Sequence, residues 1–164
     1  MADARSALQA QDIIRQLQLQ PHPEGGWYRE LYRSGRQVQT AAGPRSALTT
    51  IYYLLEHQQR SRWHVVDADE VWHFYGGAAL DLFAYDSASR QLVHSRLTPL
   101  GEGGQPASVV PAGVWQAART QGDYSLVGCS VGPGFDYAGF RLVASLPEAE
   151  DHFRDALGAL RELL

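Results

Sequence analysis

From Leu48 to Val131 the chain repeats one pattern. Short runs rich in Val, Leu, Tyr and Phe (Leu48–Leu55, Glu70–Tyr75, Ala79–Tyr85, Gln91–Leu97, Ala107–Val110 and Tyr124–Val131) alternate with turn-forming sequence. The separators are Asp67-Ala68-Asp69, Gly76-Gly77, Asp86-Ser87, Gly101–Gly104 and Gln121-Gly122-Asp123. Runs of this length bounded by Gly, Asp and Ser read as strands. No helical stretch lies between them, and parallel strands need long crossovers. The pattern therefore predicts a mainly β protein, an antiparallel sandwich or barrel. Four Trp, eight Tyr and five Phe, concentrated between Trp27 and Phe140, supply its core. The polar segment Gly35–Arg45 is expected to be a loop.

A helix is expected on each side. Leu8, Ile13, Ile14 and Leu17 fit a helical stripe over about 6–19, which Pro21 and Pro23 close. Phe153, Leu157, Leu160 and Leu164 repeat at helical spacing over 147–164, with Ser145 and Glu148 as a capping box and Pro147 in the first turn. A length of 164 residues, 45% of them hydrophobic, suits one domain with its core over about 22–145.

Fourteen Lys and Arg against 18 Asp and Glu give a net charge of −4. That is no footprint for nucleic acid or an anionic membrane. No segment approaches the roughly 20 apolar residues of a membrane span. The N-terminus lacks a signal-peptide core, so a cytoplasmic location is expected. Cys129 alone forms no internal disulfide and no Cys-based zinc site, and its apolar run reads as buried.

The chemistry concentrates in Ser61–Gly77. Drawn as two strands around Asp67–Asp69, this stretch alternates: His64 and Val66 share one face, and Glu70, Trp72 and Phe74 share a face of the next strand. If the strands close as a hairpin, His64 and Glu70 face each other. An imidazole and a carboxylate so placed hold a metal or act as an acid/base pair. His73 has the opposite parity and reads as structural.

This stretch resembles the first signature of the cupin superfamily, with His64, Glu70 and Gly77 at the family spacing and Val66 in place of the second His. Pro111-Ala112-Gly113 resembles the second signature, with Gln116 where its His stands. Further segments narrow the resemblance to one branch, the DUF985 or cupin_5 family. They are His22–Tyr28, Ser46-Ala47 before Ile51–Leu55, Trp63-His64 with Asp69–Trp72, Val110–Gln116, and Val127–Cys129 with Pro133–Phe135. The resemblance spans about residues 8–145. It implies a double-stranded β-helix (a cupin jelly roll), a homodimer, and a pocket likened to those of sugar-nucleotide epimerases and germins.

The resulting expectation is a small polar, sugar-like ligand in the barrel. His64 is the candidate base and Glu70 the group that orients or charges it, which is isomerase or epimerase chemistry needing no cofactor. His22, Glu24, Tyr28, Tyr52, Trp72 and Gln116 are candidate ligand contacts. Two alternatives stand beside this reading. One is a divalent metal on His64, Glu70 and Gln116, as in an oxygenase; the other is a binding module without turnover.

Overall fold

The computed structural model describes residues 9–146, 153 and 157–164, with Ala159 and Arg161 as backbone only. One helix, α1 (Ala10–Leu17), precedes the strands β1 (Gln20–Pro21), β2 (Trp27–Arg33), β3 (Gln37–Thr40), β4 (Gly43–Ser46), β5 (Thr49–Glu56), β6 (Arg60–Val66) and β7 (Asp69–Gly77). There follow β8 (Leu80–Asp86), β9 (Gln91–Leu97), β10 (Ala107–Val110), β11 (Trp115–Thr120), β12 (Tyr124–Gly132) and β13 (Phe140–Leu142). A six-stranded sheet runs β1-β2-β5-β12-β7-β10, and a five-stranded sheet runs β13-β6-β11-β8-β9. Their strand pairs are all antiparallel. From β5 to β8, and again from β10 to β13, consecutive strands alternate between the sheets. That alternation is the double-stranded β-helix, or jelly roll.

It also corrects the hairpin drawn around Asp67–Asp69. β6 pairs with β11 and β13, whereas β7 pairs with β12 and β10. The two-residue connection crosses between the sheets instead of closing a ladder. Its Ala68 is buried with Val66 and Val131, so the corner belongs to the core. Alternation along a strand states which side chains share a face; it does not name the strand's partner.

Packing follows the two faces of each sheet. Tyr53, Leu55, Trp72, Leu82, Val127 and Cys129 fill the space between the sheets. Leu54, of opposite parity on β5, packs outward under Ile13 and Ile14 of α1. Trp63, Phe83, Tyr85 and Trp115 point outward from the five-stranded sheet and are covered by Val143, Phe153, Leu157 and Leu163.

Four expectations change in detail. α1 ends at Leu17, before the prolines, because Gln18 turns left-handed (φ 55°) and its N–H bonds the carbonyls of Ile14 and Arg15; residues 6–8 lie outside the described residues. The presumed loop 35–45 contains most of the β3–β4 hairpin, whose strands have no fully buried residue and so carry no alternation signal. Trp27–Arg33 and Trp115–Thr120 are strands that the run pattern did not single out. Of the second helix, Phe153 and Leu157 are helical and Gly158–Leu163 forms a 3-10 turn, while 147–152 and 154–156 fall outside the described residues. Ser145 donates its hydroxyl to the Leu142 carbonyl and so closes a 3-10 turn. Among the described residues no helix is long and apolar enough to cross a membrane.

Candidate functional site

A cavity of about 80 Å³, open to solvent on one side, lies at one end of the barrel. His22, Glu24, Tyr28, His64 and Glu70 all line it. Two local irregularities put them there. The first is a bulge in β6. Gln116 lies opposite His64 and Ala118 opposite Ser61, so β6 carries one residue more than β11 over this stretch. An extra residue reverses strand parity. Ser61 and His64 therefore both reach Glu24, although regular alternation would send them to opposite faces.

The second is the loop before β2. His22 N–H bonds the Gly26 carbonyl, and Gly25 N–H the His22 carbonyl. The loop presses on β6 so closely that a Cβ on Gly25 (φ +110°) would fall 2.0 Å from the Arg60 carbonyl oxygen. Only glycine fits such an approach. Arg62 N–H bonds the Glu24 carbonyl, and Tyr53 donates its hydroxyl to that of Gly25 at 2.6 Å. Glu24 is thus delivered, buried, above His64.

The resulting proton geometry is specific. His64 Nδ1 donates to the Arg62 carbonyl oxygen at 2.7 Å, which places a proton on that nitrogen. Nε2 then faces Glu24 Oε2 at 3.2 Å. The two groups form an ion pair whenever the ring takes up a second proton. Glu24 Oε1 accepts from Ser61 Oγ at 2.8 Å. His22 Nδ1 accepts from the Glu24 N–H at 3.2 Å, so neutral His22 carries its proton on Nε2. Burial holds His22 below the ordinary imidazole range; Glu24 opposes that shift and His64 adds to it.

Glu70 sits in a different setting. Gln116 Nε2 donates to its Oε2 at 2.5 Å, and Gln116 Oε1 accepts from Trp72 Nε1 at 2.9 Å. Burial pushes the Glu70 carboxyl up to about 7; His64, Gln116 and Cys129 oppose the shift and Glu24 adds to it. Burial also raises the Cys129 thiol well above its usual range, with Glu70 adding to the shift. The site thus sets the His64–Glu24 contact beside a separate titratable proton on Glu70.

The remaining candidates are placed as follows. Trp72 and Gln116 stand behind Glu70, fully buried. Tyr52 points away from the cavity, packs in the α1 cluster, and meets Tyr75 edge-on and the Arg29 guanidinium. Its neighbour Tyr53 takes the inward position. The partner of His64 is Glu24 rather than Glu70. Sequence reasoning passed over Glu30, Arg33, Cys129, Phe135, Tyr137 and Phe140, which also line the cavity. Glu30 was readable from its parity with Tyr28; Arg33 was not, because β2 has a register shift between Glu30 and Tyr32.

The donor set read for a metal does not fit one. Val66 offers no donor, and both ends of the Gln116 amide are occupied by Glu70 and Trp72. Among the described residues no three His, Cys, Asp or Glu side chains converge to hold an ion.

Removing the Ser61 hydroxyl tests how this site is held. Ser61→Ala leaves the buried Glu24 carboxyl one donor short and should cost about 1–2 kcal/mol in urea denaturation. A loss below about 0.3 kcal/mol would contradict the bond.

A jelly roll with a cavity at the barrel end, faced by a His from β6 and a Glu from β7 across the sandwich, has the arrangement of a cupin. Residues 11–143 match the model of Cupin_5, described as cupin superfamily (DUF985), and the chain belongs to that family. Among solved structures it is similar to a protein from Shewanella oneidensis at 32% identity, covering 96% of this chain and 97% of that one with a TM-score of 0.79. A hypothetical protein from Leishmania major is also 32% identical, with 86% and 94% covered and a TM-score of 0.72. Oxalate decarboxylase from Bacillus subtilis shares the fold alone, at 11% identity, a TM-score of 0.58, and 88% of this chain against 36% of that one. No curated protein matches the chain.

Proposed function

We propose that the cavity binds a small polar, hydroxyl-bearing molecule and exchanges protons with it, in isomerase or epimerase chemistry. One observation carries this reading: two separate acid–base groups, His64 beside Glu24 and Glu70 apart from them, face one hollow. His64, its Nδ1–H fixed by the Arg62 carbonyl, takes a proton from the ligand on Nε2, and Glu24, 3.2 Å away, offsets the charge the ring gains. Glu70, with a pKa about 7, returns one. Groups whose environments differ in this way divide acid from base work at neutral pH. The aromatic rim of Tyr28, Phe135, Tyr137 and Phe140 offers rings for the apolar face of a sugar.

The test is solvent exchange. A panel of aldoses, ketoses and nucleotide sugars is incubated with protein in D2O, and carbon-bound deuterium is read by NMR. Incorporation should occur with at least one class and fall about 100-fold or more in His64→Ala. A ligand that raises the melting temperature yet returns unlabelled would leave binding without turnover. Absence of both binding and exchange would overturn the reading.

The chain is also proposed to form a homodimer in the cytoplasm. β1 pairs only with Trp27 and Tyr28, which leaves the rest of the β2 edge unpaired among the described residues, with Leu31 and Tyr32 exposed. Natural sheets cover such edges. Sedimentation at micromolar concentration should give twice the chain mass; monomer alone would refute pairing.

A further inference from the structure

The deep end of the cavity holds two carboxyl groups and, among the described residues, no unpaired cation. Glu24 Oε2 lies 3.2 Å from His64 Nε2, so any positive charge on that ring is already matched. Glu70 meets neutral donors, the Gln116 amide and the Cys129 thiol. His22 contributes a neutral ring, since burial disfavours its cation and its Nδ1 already accepts from backbone. Arg33 also lines the cavity, but its charge is engaged. Nε and Nη2 lie 3.0 and 2.9 Å from the Glu30 carboxylate, and Nη1 donates to the Phe135 carbonyl oxygen at 3.0 Å. It is 45% exposed, so it stands at the mouth rather than at the base.

Building on the ligand site proposed above, we infer that the cavity admits a ligand whose inserted end is hydroxylated or carries an amine, and rejects one whose inserted end is a carboxylate. An inserted carboxylate would face Glu70 and the Glu24–His64 pair with no countercharge. Protonating Glu70 removes a repulsion without supplying a cation, and an unmatched buried charge is costly. An ammonium group instead meets the Glu70 carboxylate. A hydroxyl finds Glu70 as donor or acceptor and the Nε2–H of His22 as donor. Specificity of this kind comes from the penalty on the wrong ligand as much as from contacts to the right one.

The experiment uses matched sugars on one ring: glucose, glucosamine and glucuronate, with the galactose and mannose series alongside. Affinities are measured by calorimetry and thermal shift at pH 7.5. The neutral or amino members should bind, with the uronates at least about tenfold weaker. Glu70→Gln, which keeps an acceptor for Gln116, should lower the ratio of amino-sugar to neutral-sugar affinity by about tenfold. Uronates binding as tightly as their neutral counterparts would overturn the charge selection while leaving the site intact. Failure of all three classes together would instead overturn the ligand site. Should Glu70→Gln fail to fold, the wild-type ranking still decides.

Discussion

Phe153→Ala should lower stability by about 3–5 kcal/mol and loosen the segment that follows it. Phe153 is 1% exposed and lies over three rings of the five-stranded sheet. Its centroid is 5.5 Å from Trp63, 5.3 Å from Tyr85 and 5.1 Å from Trp115. These rings point outward from the barrel, and the C-terminal residues are what shields them from water. Deleting the ring removes its own burial and leaves a cavity whose rigid aromatic walls cannot collapse. It also loosens the cover over Trp63, whose Nε1 donates to the Leu160 carbonyl at 3.3 Å. Trp63 precedes His64 at the β6 bulge, so the loss should broaden the His64 resonances in NMR as well. Guanidinium denaturation and limited proteolysis read the effect. A loss below 1 kcal/mol, with unchanged cleavage near the C-terminus, would mean that this packing contributes little.

How far the sequence foretold this molecule depends on what kind of information each feature needs. The strands Gln91–Leu97 and Ala107–Val110 match the sequence reading residue for residue, because turn-formers bound them and local composition suffices. The convergence of His64 and Glu70 was legible from parity and from the resemblance to cupin signatures. Its mechanism was not, since the two strands belong to different sheets and a sandwich, rather than a ladder, brings the groups together. The pairing of His64 with Glu24 was hidden further still. It needs the β6 bulge, which leaves no mark in alternation, and the approach of Gly25 to Arg60, which only tertiary contact reveals. Gln116 shows the same limit. At the metal-ligand position of the family signature, an amide reads as a weak ligand; the structure uses it as a clamp from Trp72 to Glu70. Tyr52 and Tyr53 are separated by parity alone, and choosing between them required knowing which face of β5 meets α1.

Above pH 7, Glu70→Gln should be more stable than the native protein by about 3 kcal/mol, and the difference should shrink as the pH is lowered. Burial raises the Glu70 carboxyl from 4.5 to about 7 in the folded protein. Unfolded chain gives up this proton near 4.5, folded chain near 7. Between those values the folded state binds more protons, so stability from this group is fully present below about 4.5 and is lost as pH rises through about 7. At roughly 1.36 kcal/mol per unit, a shift of this size is worth about 3 kcal/mol. Glutamine mimics the neutral carboxyl, keeps an oxygen for the Gln116 amide, and cannot ionise. Its stability should therefore lack the fall between pH 4.5 and 8 that the native chain shows. Parallel denaturation curves across that range are the measurement, and a constant difference between the two proteins would refute the assignment. A buried carboxyl that destabilises the fold at neutral pH, where glutamine would pack as well, is the pattern expected of a group kept for its proton rather than for its packing.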